Sequence, residues 1–157
     1  MHGVRHITCL LAAVMAAALG GCGAGGAGKG YGDSVDKARA AKALSALQVG
    51  LVSIGLLQAD SAGSAGQDMA TALQAKDPTN RYTTAVPAET GVVQVLGSAA
   101  GPVMLVALST PASEDRPAQY VAAWQGTGTT MYYSGSTAPA YTTQPPATSG
   151  WGRTPPQ

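Results

Sequence analysis

The chain has 157 residues, nine basic and eight acidic side chains, and a formal net charge of +1. Gly and Pro number 21 and 10, charged residues make up 11% and aromatics 5%, and Phe is absent. Near-neutrality disfavours a nucleic-acid binder, which needs clustered positive charge to displace counterions from phosphate. Two cysteines cannot build a disulfide scaffold, and the length sets an expectation of about one domain.

Arg5, with His2 and His6, makes a short polar start, and residues 7–19 form an apolar run. Thirteen residues rise about 20 Å as a helix, against a hydrocarbon core of about 30 Å. That length suits the h-region of a signal peptide better than a membrane span. The run ends Leu19-Gly20-Gly21-Cys22. This resembles the lipobox of bacterial lipoproteins: an aliphatic residue, two small ones, then Cys. The resemblance implies a diacylglyceryl group on Cys22, with palmitate-type acyl chains, and cleavage just before it. It places the protein on the extracytoplasmic face of the cell membrane, with the lipid bilayer as its first partner. Two other readings stand beside this one. One is an ordinary secretory signal cut after an A-x-A-like site, leaving Cys22 a free thiol; the other is an uncleaved anchor, for which the run is short. Cleavage removes Cys9, His2 and His6.

The expected organisation is a leader over 1–21, lipidated Cys22 with a Gly-rich tether over 22–32, a small α+β domain over 33–133 and a disordered tail over 134–157. Residues 23–32 read GAGGAGKGYG, too rich in Gly to offset the entropy of ordering. Asp33 or Ser34 is then expected to cap a helix over 35–59. Leu44, Leu47, Leu51 and Ile54 make an apolar stripe at 3-4-3 spacing, flanked by Val49, Val52 and Leu56. Gly50 and Gly55 each weaken such a helix by about 1 kcal/mol relative to Ala, a cost that suggests close approach by another element.

Residues 60–66 read as a turn and 67–76 as a short helix carrying Met69 and Leu73, stopped by Asp77-Pro78. The period then changes. Strands are expected over 92–96, over 103–108 (apolar on both faces, hence central) and over 120–124 and 129–133, the last two joined as a hairpin, with a short extra strand near Tyr82. Residues 134–157 carry Pro139, Pro145, Pro146, Pro155 and Pro156 among Thr and Ser, a composition expected to be disordered.

These elements give an α+β fold: one N-terminal amphipathic helix packed on a 3–4-stranded antiparallel meander. The succession of the Ala-rich helix, Asp77-Pro78, VVQVL, VMLVALS, YVAAW and TTMYY resembles the head domain of type IV pilins and pseudopilins. The resemblance implies a helix laid over the sheet and an accessory role in a pilus-like or secretion machine. A pilin's peptidase site, its long apolar span with an early Glu and its C-terminal disulfide are missing, which argues against filament assembly.

Chemistry-bearing patterns are sparse. Gly23, Gly25 and Gly28 match G-x-G-x-x-G, and with Lys29 nearly a Walker A motif, but no strand precedes them and Gly30 replaces the Ser/Thr. Ser34-Val35-Asp36-Lys37 matches S-x-x-K without its companion motifs. A chain without mature His offers no Ser-His-Asp triad and lacks the usual zinc or copper ligands. Glu114-Asp115, beside Arg116, reads as a solvated cluster. The expectation is therefore a non-enzymatic protein with no cofactor, no metal and no nucleic-acid partner, interacting with an unknown envelope protein or polymer. The alternative is a peptide-, lipid- or glycan-binding module. Its candidate binding surface is Tyr120, Trp124 and Tyr132, with core packing the competing reading for these rings. The basic set Lys29, Lys37, Arg39 and Lys42 above the anchor reads as a solvated helix face, with attraction to anionic headgroups as its alternative.

Overall fold

A computed structural model of the chain describes residues 29–60, 68–147 and 149–156. The expected leader and Cys22, most of the expected tether and most of the expected turn after the first helix lie outside the described residues.

The first helix, α1, spans Lys29–Ala59. It has no Pro and is rich in Ala and Leu, both good helix formers. Its 31 residues measure about 46 Å along the axis. The expected start is corrected: Asp33 and Ser34 lie inside the helix rather than capping it, and Lys29 to Gly32 are helical rather than tether. Once a helix is nucleated, each further residue adds a hydrogen bond, so extension passes through Gly30 and Gly32 despite their cost.

The buried line of α1 is Ala43, Leu47, Gly50, Ile54 and Leu57, spaced four and three residues apart. Leu44 and Leu51 are half-buried at its border. Val49, Val52 and Leu56 point outward, exposed by 41%, 67% and 56%. The second helix, α2, spans Met69–Lys76 and buries Met69, Ala70, Ala72 and Leu73. Asp77 closes it, its N–H donating to the Leu73 carbonyl.

Six strands follow: β1 Arg81–Thr83, β2 Val92–Gly97, β3 Val103–Thr110, β4 Gln119–Gly126, β5 Thr129–Gly135 and β6 Trp151–Gly152. They form one sheet in chain order. The predicted meander is its centre, β2 to β5, antiparallel throughout. The sheet is larger than expected because a short segment joins each edge: β1 runs parallel to β2, and β6 pairs antiparallel with β5. The β4–β5 hairpin closes through Thr127-Gly128, with Gly128 at φ 70°.

Alternation along the strands divides the core in two. One face (Val93, Val95, Val103, Leu105, Ala107, Val121 and Ala123) packs under α1 and α2. The other carries Met104, Val106, Ala122 and Trp124. β3 is buried on both faces from Val103 to Ser109, as its continuous apolar run requires.

The tail expectation is also corrected. Ala138, Tyr141 and Trp151 pack on the second cluster, and Pro146 is buried. Composition alone missed this, because a few aromatic anchors suffice to order a polar, proline-rich segment against an open apolar face.

Gly50 shows why a glycine sits mid-helix. A methyl group built on it would lie 2.7 Å from Leu105 Cδ1 and 3.2 Å from the Tyr82 hydroxyl. At Gly55 nothing lies within 4 Å. Gly50→Val is therefore expected to destabilise the fold by about 1–3 kcal/mol through overpacking, and Gly55→Ala to stabilise it by about 0.5–1 kcal/mol. Urea midpoints of the two variants test this contrast.

Candidate functional site

The second sheet face is built from side chains two residues apart on adjacent strands. Tyr120, Ala122 and Trp124 come from β4, Met131 and Tyr133 from β5, and Met104 and Val106 from β3. The β4–β5 register sets Met131 beside Trp124 and Tyr133 beside Ala122. Tyr132 pairs with Ala123 and packs on the helix side. The predicted trio is thus split: Tyr120 and Trp124 share one face, and Tyr132 lies on the opposite one. The strand period of two decides this. Trp124 is only 2% exposed, so it is a covered ring rather than an open platform.

What covers it is the tail. The Trp124 indole N–H donates to the Thr142 carbonyl at 2.9 Å, and the Tyr141 hydroxyl donates to the Pro102 carbonyl at 2.8 Å. The Trp151 and Tyr133 ring centroids stand 5.4 Å apart at a tilt of 40°, within the range of favourable aromatic pairs. Tyr141 and Trp151 are the residues that sequence reasoning missed.

A local signal was present. Trp124 and Tyr133 are each followed two residues later, on the same face, by a glycine. A methyl group at Gly126 would lie 2.3 Å from Trp124 Cη2, and one at Gly135 would lie 2.3 Å from the Tyr133 hydroxyl. Each ring lies over its glycine, and glycine is what lets it lie there.

The other face borders a hollow of about 590 Å³ between α1 and the sheet, lined by Arg39, Lys42, Val49, Asn80, Thr90 and Val92 among others, with no carboxylate among its lining residues. Lys37 instead lines a smaller hollow with Asp33, Asp36 and Arg116. There Asp36 receives Arg116 at 2.7 Å and Arg39 at 3.6 Å, tying the β3–β4 loop to the polar start of α1. Glu114 and Asp115 stand exposed in that loop. Among the described residues, no group of three or more His, Cys, Asp or Glu is placed to hold a metal ion.

Asp77 is a buried acid at the end of α2. Burial pushes its carboxyl up, but hydrogen bonds outweigh that effect and hold its pKa down at about 2, against an ordinary 3.8. The donors are the Thr79 hydroxyl, the Thr79 N–H at 3.0 Å, Asn80 Nδ2 at 2.7 Å and the Tyr82 hydroxyl at 2.6 Å. Burial, followed by the bond to Asp77, pushes the Tyr82 phenol well above its usual value. A carboxylate with this many donors is a turn lock, and its lone pairs are already taken.

No protein-family model, no curated protein and no solved structure matches the chain.

Two predictions follow from this geometry. Gly126→Ala must displace the buried Trp124 ring and is expected to cost about 1–3 kcal/mol, visible as a lower melting temperature and an altered near-ultraviolet circular dichroism spectrum. The Asp77 carboxylate, whose folded pKa lies below its unfolded one, stabilises the protein above about pH 4 and stops doing so as the pH falls toward 2. The stability gap between wild type and Asp77→Asn is therefore expected to be on the order of 2 kcal/mol at neutral pH and to close over that window, as read by denaturant titration at each pH.

Proposed function

We propose that this chain is an envelope lipoprotein, held on the extracytoplasmic face of the cell membrane by a diacylglyceryl group on Cys22. Its α+β head acts as a non-enzymatic interaction or accessory protein. The observation that carries the reading is Leu19-Gly20-Gly21-Cys22 placed directly after a short apolar run with a basic start. Two acyl chains hold a protein to a bilayer where one is marginal.

The head supports an interaction role. α1 contains a stretch, Gly32–Ala59, long and apolar enough to cross a membrane, with 33% of its most apolar window buried. Its inward side is already taken by the sheet through Leu47, Ile54 and Leu57, which favours a head element over a span. The helix over an antiparallel meander is the arrangement that the pilin-head resemblance implies. The parallel β1 and the tail-covered face are departures from the expected meander, and they favour an accessory protein over a filament subunit. The hollow beside Arg39 and Lys42 favours the second reading, a peptide-, lipid- or glycan-binding module.

Metabolic labelling with an alkyne analogue of palmitate tests the anchor. The wild-type protein is expected to take up the label and fractionate with membranes, with an intact mass that starts at acylated Cys22. Cys22→Ser is expected to lose the label and the processing together. An unlabelled wild-type protein with an unmodified thiol rules the anchor out.

A further inference from the structure

We propose that the hollow between α1 and the start of β2 is a binding site for a single-chain anionic amphiphile, its acid group held by Arg39 and Lys42. The proposal deepens the reading of the head as a peptide-, lipid- or glycan-binding module and rests on it.

The hollow measures about 590 Å³, within the roughly 300–1,000 Å³ of small-molecule sites. Arg39 and Lys42 stand three residues apart on α1, a spacing that makes helix side chains neighbours. They are the only charged side chains among the described residues that line it. Both are available to an anion. Lys42 makes no ion pair and no hydrogen bond among the described residues. Arg39 reaches Asp36 through Nη1 at 3.6 Å, and Arg116 holds that same carboxylate more closely, at 2.7 Å. A guanidinium carries five N–H donors, so Arg39 has donors left for a ligand.

Much of the remaining wall is apolar: Ala43, Ala46 and Val49 from α1, Val92 from β2, Ala107 and Leu108 from β3. A cationic pair beside an apolar wall asks for a ligand with a negative head and an apolar body. The other two ligand classes fit less well. No Trp or Tyr lines the hollow, so a sugar ring finds no stacking partner there. β2 is paired with β1 on one side and β3 on the other, so the sheet offers an extended peptide no free edge at this point. Val49 is 41% exposed and opens the outward line Val49, Val52 and Leu56, along which a longer chain can continue.

The probe is decanoate, added to the isotope-labelled full chain carrying Cys22→Ser, which keeps acyl chains out of the measurement. The nuclear magnetic resonance signals of the Asn80, Gly91 and Val92 amides are expected to shift, with a Kd on the order of 100 µM. Arg39→Gln/Lys42→Gln is expected to weaken binding at least about tenfold. Both side chains are exposed, so the fold is expected to survive. Lys37→Gln, at a lysine that lines the other hollow, is expected to leave binding unchanged. Decanol, which lacks the charge, and acetate, which lacks the chain, are each expected to bind at least about tenfold more weakly than decanoate.

Binding that survives the double substitution overturns the proposal, as do shifts confined to another part of the head. Acetate that binds as well as decanoate makes the site a bare anion patch, and decanol that binds as well makes it an apolar cleft; either result overturns the proposal. Phosphatidylglycerol vesicles that shift the same signals where decanoate does not make Arg39 and Lys42 a membrane-facing patch, which overturns it too. If decanoate fails where a neutral oligosaccharide or a peptide shifts the signals of the hollow, the binding-module reading stands and the amphiphile falls. A head that takes up none of the three removes both. None of these measurements depends on acylation.

Discussion

Every residue of β3 from Val103 to Ser109 is buried, and that strand needs an apolar layer on each side. Leu105 and Ala107 face α1 and α2, while Met104 and Val106 face the tail. A sheet with one wet face would have needed polar residues at alternate positions of β3, and Met104 and Val106 are not polar. The two-sided strand thus demands two covers. Only one of them, the helix, is a regular element long enough to announce itself. The other is assembled from Ala138, Tyr141 and Trp151 in a segment with almost no secondary structure of its own.

The helix is seated on the sheet by a second constraint. Gly50 lets Leu105 and Tyr82 come close to the α1 backbone. The Tyr82 hydroxyl reaches the Asp77 carboxylate, which also gathers Thr79 and Asn80 and ends α2. One buried carboxylate therefore joins the end of α2, the start of β1 and the underside of α1. This is how a strand of three residues holds its place beside β2 in parallel register. At the other end of α1, Asp36 and Arg116 make a long-range ion pair. It is exposed on the Arg side and, like most surface pairs, contributes at most about 1 kcal/mol.

These features bear on function by what they leave free. The Asp77 carboxylate is locked into a turn, and Tyr120, Trp124, Tyr132, Tyr133, Tyr141 and Trp151 pack on the two core clusters. What remains distinctive is a sheet face covered by the tail, and a β5 whose outer side pairs with β6 at two of its seven residues.

Much of the fold was legible in order and type. The long helix follows from uninterrupted Ala and Leu, α2 from Met69 and Leu73 with its stop at Asp77-Pro78, and the central strands from their apolar runs. The predicted stripe holds at Leu47 and Ile54, but Leu44 and Leu51 sit at its border beside buried Ala43 and Gly50, because Val49, Val52 and Leu56 widen the apolar arc and only the sheet decides which side is inward. The aromatic surface was misgrouped for a related reason. Tyr120 and Trp124 share a face by strand period, but the face of Tyr132 depends on hairpin register, and register is a property of two strands. The tail was out of reach altogether. Its Pro, Thr and Ser carry no period, and its order comes from rings meeting a face that exists only once the sheet has formed. The sequence by itself determined the succession of helix and strands, since that is written in local composition and spacing. The tertiary structure alone decided which rings share a surface and that the tail belongs to the core, since both depend on contacts between residues far apart in the chain.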